Sequence, residues 1–235
     1  MVLPLNLAMT PSEIAAASSL PERISWMSCH FSVSTMGIMN IPEALPDGAM
    51  LILNDRENCA GHSADLVAQQ LLDTVQRFRC ESVLLDFQRP RNEESAAMVK
   101  TIADALPCPV AVTEVFADDV EGPVFLAPCP LHKTLSAYLQ PWENREIWME
   151  AALCQQNITV SPSGSVYSSL YPAQQLTDGF YSGQLHCRYH TAISGDSITF
   201  TLFDTMDTLK EKLSLAQQLG VTRAVGLYQE FEDWV

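Results

Sequence analysis

An α/β fold with parallel strands is what this sequence predicts, on three observations. Short, continuous apolar runs recur along the chain, helix-period segments follow several of them, and 235 residues suit one barrel-sized domain. A buried parallel strand has both faces covered, so it reads as an unbroken apolar run rather than an alternating one. A helix between two such strands supplies the crossover that parallel pairing requires.

The elements follow in order. After a mobile start, residues 10–19 read as a short helix, because Thr10-Pro11-Ser12-Glu13 forms a capping box with Pro at the first helical position. Residues 24–34 and 49–54 (AMLILN) are strands, the second fully apolar. Val67, Leu71, Val75 and Phe78 then recur at helical spacing after Ser63. Residues 82–87 form a strand, and Asn92 caps a helix carrying Met98, Ile102 and Leu106, which Pro107 and Pro109 end. Strands at 110–115, 123–127 and 146–153 follow. Residues 161–183 are rich in Ser, Tyr, Gly and Pro and read as loop with one helical turn. Residues 185–193 and 197–203 flank Ser194-Gly195-Asp196, a turn signal, and form a hairpin. Leu209, Leu213, Ala216 and Leu219 mark a helix stopped by Gly220, and residues 224–228 are the last strand. Periodicity alone leaves a closed barrel and an open doubly wound sheet both standing. Either places its ligands at the carboxyl ends of the strands.

Composition narrows the function. The net charge of −15 repels nucleic-acid phosphates and anionic lipid heads, so neither nucleic acid nor a membrane is an expected partner of this acidic protein. No apolar run is long enough to span a bilayer, and the first residues lack a signal-peptide pattern. Seven widely spaced cysteines without a C-x-x-C read as buried, reduced thiols, and a cytoplasmic location is the expectation. No stretch reads as a linker, so residues 1–235 form a single domain. No phosphate-binding glycine motif occurs, and no cofactor is expected. His186, Cys187 and His190 invite a metal reading, but no carboxylate completes a known spacing, and no metal is expected.

Two segments carry a resemblance. Residues 81–90 read ESVLLDFQRP, and residues 200–230 read FTLFDTMDTLKEKLSLAQQLGVTRAVGLYQE. The first resembles DGIDIDWEYP, the fourth-strand segment of family 18 glycoside hydrolases: Asp86 falls on the last aspartate, Phe87 on the aromatic, Pro90 on the proline and Gln88 on the catalytic glutamate. Leu84 replaces the middle aspartate. The second resembles that family's closing strand, capping sequence, Lys-bearing helix and last strand, with Asp204, Asp207, Thr208, Leu209 and Lys212 in matching positions. Tyr228 falls where the family's tryptophan floors the sugar site.

The resemblance implies a chitinase-like (β/α)8-type barrel with a small β-hairpin insertion before the last helix and strand. The N-terminal part reads one strand–helix unit short, which leaves a full barrel and one reduced by that unit both open. The resemblance also implies a carbohydrate partner, an oligosaccharide, bound through Asp86, Gln88, Glu114 and Tyr228. The family's glutamate protonates the leaving glycosidic oxygen, and an amide lacks that acidic proton. The expectation is therefore a pseudoenzyme, a non-catalytic relative that binds carbohydrate or serves as an interaction module. The alternative is an active glycosidase on N-acetylglucosamine-containing glycans with a substitute acid. Glu114, near the end of the strand after Asp86, is the first candidate for that acid and Glu150 the second. An unrelated α/β protein with a structural or small-molecule-binding role is the third reading.

Overall fold

The computed structural model describes residues 3–33, 36–172, 176 and 178–232, without the side chains of 167 and 170–172. In chain order the elements are β1 (Leu5–Met9), α1 (Pro11–Ala16), β2 (Ile24–Phe31), β3 (Ile38–Met39), β4 (Met50–Asn54), α2 (Ala64–Phe78), β5 (Ser82–Asp86), α3 (Glu93–Ala105), β6 (Val110–Thr113), β7 (Val124–Leu126), α4 (Leu135–Leu139) and β8 (Ile147–Ala151). They continue with β9 (Cys154–Val160), β10 (Val166–Pro172), β11 (Phe180–Ser182), β12 (Cys187–Ser194), β13 (Ser197–Phe203), α5 (Met206–Gln218), β14 (Val221–Leu227) and α6 (Tyr228–Phe231).

The strands β1, β2, β4, β5, β6, β7, β8 and β14 pair in parallel, in that order, and the β1–β14 and β1–β2 pairings close the ring. This is a closed (β/α)8-type barrel. It decides for the full barrel over the reduced one: β1 occupies residues read as a mobile start. Its five residues alone carry little signal, and it is defined by partners at both ends of the chain, Leu7 opposite Ile24 and Leu5 opposite Ala224. The shortfall is in helices. Among the described residues only β3 and irregular chain lie between β2 and β4, and only a 3-10 turn, Glu114–Phe116, lies between β6 and β7.

The long helices form for local reasons. Ser63 accepts from the Leu66 N–H to start α2, whose buried stripe is Val67, Leu71, Val75 and Phe78; Arg79 ends it in the left-handed conformation (φ 49°). Asn92 with Ser95, and Thr205 with Thr208, form reciprocal caps at the starts of α3 and α5.

Strand alternation then sorts the core. Ala8, Met50, Ile52, Leu84, Ala111, Phe125, Trp148 and Val225 fill the barrel interior, while their neighbours in sequence face outward to two separate clusters under the helices. Small residues (Ala8, Ala111) make room for Trp148, which is 1% exposed. Truncating so large a core side chain to Ala costs about 3–5 kcal/mol.

The insertion between β8 and α5 is larger than the expected hairpin. The hairpin is present, β12 against β13 with Ser194 opposite Ser197 and Gly195 at φ 57°. It belongs to a five-stranded antiparallel sheet ordered β10-β9-β13-β12-β11. β9 (CQQNITV) is rich in amide side chains that disfavour strands, and β10 lies in the stretch read as loop; sheet neighbours override both signals. Residues 173–175 and 177 of that stretch lie outside the described residues.

Candidate functional site

Inner positions at the carboxyl ends of the strands form the mouth of the barrel. On β5, Leu84 packs in the interior, so Asp86 two residues on also faces inward. By the same parity, Asn54 follows Ile52 on β4 and Glu150 follows Trp148 on β8. These three side chains, with Gln88, line one cleft of about 620 Å³. Val225 and Leu227 of β14, Met27 of β2 and Phe125 of β7 supply its apolar surface, and His30, Asn40 and Arg56 add polar groups.

The loop after β5 is pinned. The buried Asp55 carboxylate accepts from the backbone N–H of Gln88 at 2.8 Å and of Arg89 at 2.9 Å. Arg89 returns Nε–H to the Asp55 carbonyl at 2.8 Å and Nη2–H to the Arg56 carbonyl at 2.7 Å. Thr113 at the end of β6 donates its hydroxyl to the Phe87 carbonyl at 2.7 Å. Gln88 is thereby held with its amide Nε2 donating to Asp86 Oδ1 at 2.5 Å. Arg91 forms a bidentate pair with Asp119, at 2.8 and 2.6 Å. Neither nearby arginine, then, neutralises Asp86. His30 donates Nδ1–H to the Phe31 carbonyl at 2.8 Å, which leaves Nε2 to accept from Asn40 Nδ2 at 3.1 Å.

The mouth is electrostatically uneven. Burial raises the Asp86 carboxyl above its ordinary value; the Gln88 amide opposes that, and the Asp55 charge adds to it. Glu150 is pushed up to about 7, first by burial and then by the charges of Asp86 and Glu230. Glu150 has no hydrogen bond or ion pair among the described residues. A half-buried carboxyl that faces two other carboxylates and no cation keeps its proton near neutral pH.

Five positions were named for the site, and the structure brings three of them together, Asp86, Gln88 and Glu150. Glu114 is exposed and outside the cleft lining: β6 turns its inward-facing position to Thr113 and then leaves the barrel in a 3-10 turn. Tyr228 also lies outside the lining and packs on the outer cluster beneath α5 and α6. Parity decides this, since Val225 and Leu227 face inward and residue 228 does not. The same count, taken from Trp148, would have put Glu150 ahead of Glu114. Trp26 and Trp148 are both core residues. Among the described residues no cluster of three or more ligands could hold a metal. His186 meets Tyr181 and Glu211, whereas the His190 ring stacks on Phe203 at 5.2 Å.

No family model and no curated protein matches this sequence. Solved structures do match. A class V chitinase from Nicotiana tobaccum, a glutamate-to-glutamine mutant in complex with a NAG tetramer, matches with a TM-score of 0.60 and 9% identity over 96% of this chain and 93% of that one. The fold is that of the family 18 chitinases. A second family 18 chitinase, from Cycas revoluta, with glycine-to-tryptophan and glutamate-to-glutamine replacements and bound (GlcNAc)4, matches at a TM-score of 0.57 and 8% identity over 95% and 94% of the two chains. The Bacillus cereus spore cortex-lytic enzyme SleL matches at 0.57 and 12% over 95% and 70%. Within this chitinase-like barrel β5 is the fourth strand of the ring, and Asp86 and Gln88 stand at its mouth.

Proposed function

We propose that the mouth of this chitinase-like barrel is an oligosaccharide-binding cleft, with the family's glutamate-dependent step lost at position 88. The observation that carries the reading is the Asp86–Gln88 hydrogen bond at 2.5 Å inside the cleft. An amide at 88 both donates and accepts, so it orients Asp86 and can bond a sugar hydroxyl, yet it offers no acidic proton. Asn54 and Asn40 add further amide groups suited to hydroxyls. Chitinases of this fold that carry a glutamate-to-glutamine replacement hold N-acetylglucosamine tetramers, which supports retained binding with an amide in the mouth. The seven free thiols favour a reducing compartment, and we propose a cytoplasmic location. No helix of the described residues is long and apolar enough to cross a membrane.

Thermal-shift titration with (GlcNAc)4 tests this. Ligand at a hundred times Kd adds about 2.7 kcal/mol to stability, a readily measured rise in Tm. The native chain is expected to show that rise and Asp86→Ala to lose most of it. A flat response of the native chain across a panel of oligosaccharides would remove the carbohydrate reading.

A further inference from the structure

We propose that Glu150 is a proton donor in this cleft, the acidic half of a carboxyl pair with Asp86 that hydrolyses the glycosidic bond by a route not using position 88. The inference rests on the binding reading above. The two carboxyls come from different strands, β5 and β8, and both point into the one cleft by strand parity. A pair of carboxyl groups flanking the scissile bond, one neutral and one ionised, is the arrangement that glycoside hydrolysis needs.

Burial raises both carboxyls, and they differ in what they accept. Asp86 accepts the Gln88 amide, which favours its ionised form. Among the described residues Glu150 has no donor. The ionisable groups that face it are Asp86 from β5, Glu230 from α6, Tyr138 from α4 and Cys154 from β9. Burial raises the tyrosine and the thiol, so both stay neutral, and Glu230 is occupied as acceptor for the Leu153 N–H at 3.0 Å. Among the described residues the basic groups of the cleft do not reach Glu150 either: His30 bonds Asn40 and the Phe31 carbonyl, and Arg56 makes no ion pair. Desolvation together with a neighbouring charge of the same sign is the setting that keeps one carboxyl protonated while its partner ionises. A glutamate at 88 would add a third carboxyl beside Asp86, whereas Gln88 supports the Asp86 charge. The amide at 88 and the carboxyl at 150 are therefore complementary.

The step balances as follows. Glu150 gives its proton to the glycosidic oxygen as the bond from that oxygen to the anomeric carbon breaks, the bonding pair leaving with the oxygen. A water attacks the anomeric carbon and loses a proton to Asp86. That proton returns through solvent to Glu150, leaving one new hydroxyl and one new reducing end.

The test runs two measurements on the same samples, calorimetric binding of (GlcNAc)4 and chromatographic detection of its shorter products, for the native chain and Glu150→Gln. Expected are native hydrolysis that declines tenfold per pH unit above about 7, and a loss of about 100-fold or more in Glu150→Gln with Kd changed little. Gln is close in size and removes a repelled charge, so the variant folds; its Tm is read alongside. Binding by the native chain with no cleavage at acid pH, or equal cleavage by Glu150→Gln, overturns Glu150 as donor and leaves the binding reading intact. Failure of the native chain to bind overturns the binding reading first, and this inference with it.

Discussion

The two ends of the barrel treat their carboxylates in opposite ways. At the amino-terminal end Glu81 accepts from Arg223 at 2.8 Å and from Arg23 at 3.3 Å. Arg223 also donates to Ser82 at 2.9 Å and lies over the Trp148 ring at 4.5 Å. At the carboxyl-terminal end Asp86 and Glu150 face a common cleft, with no cation on either among the described residues. Paired charge at one end secures the ring, and the carboxyls at the other end are held in a cleft without that stabilisation, in line with the usual division between the two faces of such barrels.

The sharpest way to break this comparison is at a third place, where pairing is most buried. Lys212 Nζ contacts Asp204 Oδ1 at 2.6 Å with both side chains nearly excluded from water, and Asp204 also accepts from Thr208 at 3.2 Å and from the Cys154 N–H at 3.4 Å. The pair ties the start of α5 to β9 of the insertion. Lys212→Met strands a buried carboxylate, and urea denaturation at neutral pH should find a loss of about 3–5 kcal/mol. A loss under about 1 kcal/mol would mean that the pair contributes little beyond a surface bridge.

Next comes Glu150, with the opposite sign. Its carboxyl is raised from 4.5 to about 7 by the fold, so its favourable contribution is complete below 4.5 and is lost as pH rises through about 7. Glu150→Gln should therefore stabilise the protein above pH 7, by up to about 3 kcal/mol, and be neutral in acid. Equal Tm values for the two proteins at alkaline pH would show that Glu150 is not strained by its neighbours. The smallest effect belongs to Arg23→Gln. Arg23 is the more exposed of the two Glu81 partners and Arg223 remains, so the cost should stay below about 1 kcal/mol and shrink with added salt. A cost as large as that of Lys212→Met would show that the amino-terminal network acts as one unit.

Much of this architecture was legible before the fold. The apolar runs at 49–54, 82–87 and 110–115 became β4, β5 and β6, and the caps read at Thr10 and Asn92 start helices as side-chain hydrogen bonding requires. Asp86 and Gln88 were found because they lie within one short segment. What was missed depends on partners distant in sequence. β1 is a strand because β2 and β14 flank it, and β9 because β10 and β13 flank it. The placements of Glu114 and Tyr228 turn on a single residue of strand parity at an element's end, where a 3-10 turn or a helix takes over.

The sequence by itself determined the strand–helix alternation, the capped helices and the hairpin at Ser194 to Ser197, since each rests on interactions within a few residues. Only the tertiary structure decided that the ring closes and that Glu150 joins Asp86 in one cleft. Closure brings strands far apart in the chain side by side. It also removes the water that would otherwise let every carboxylate ionise alike.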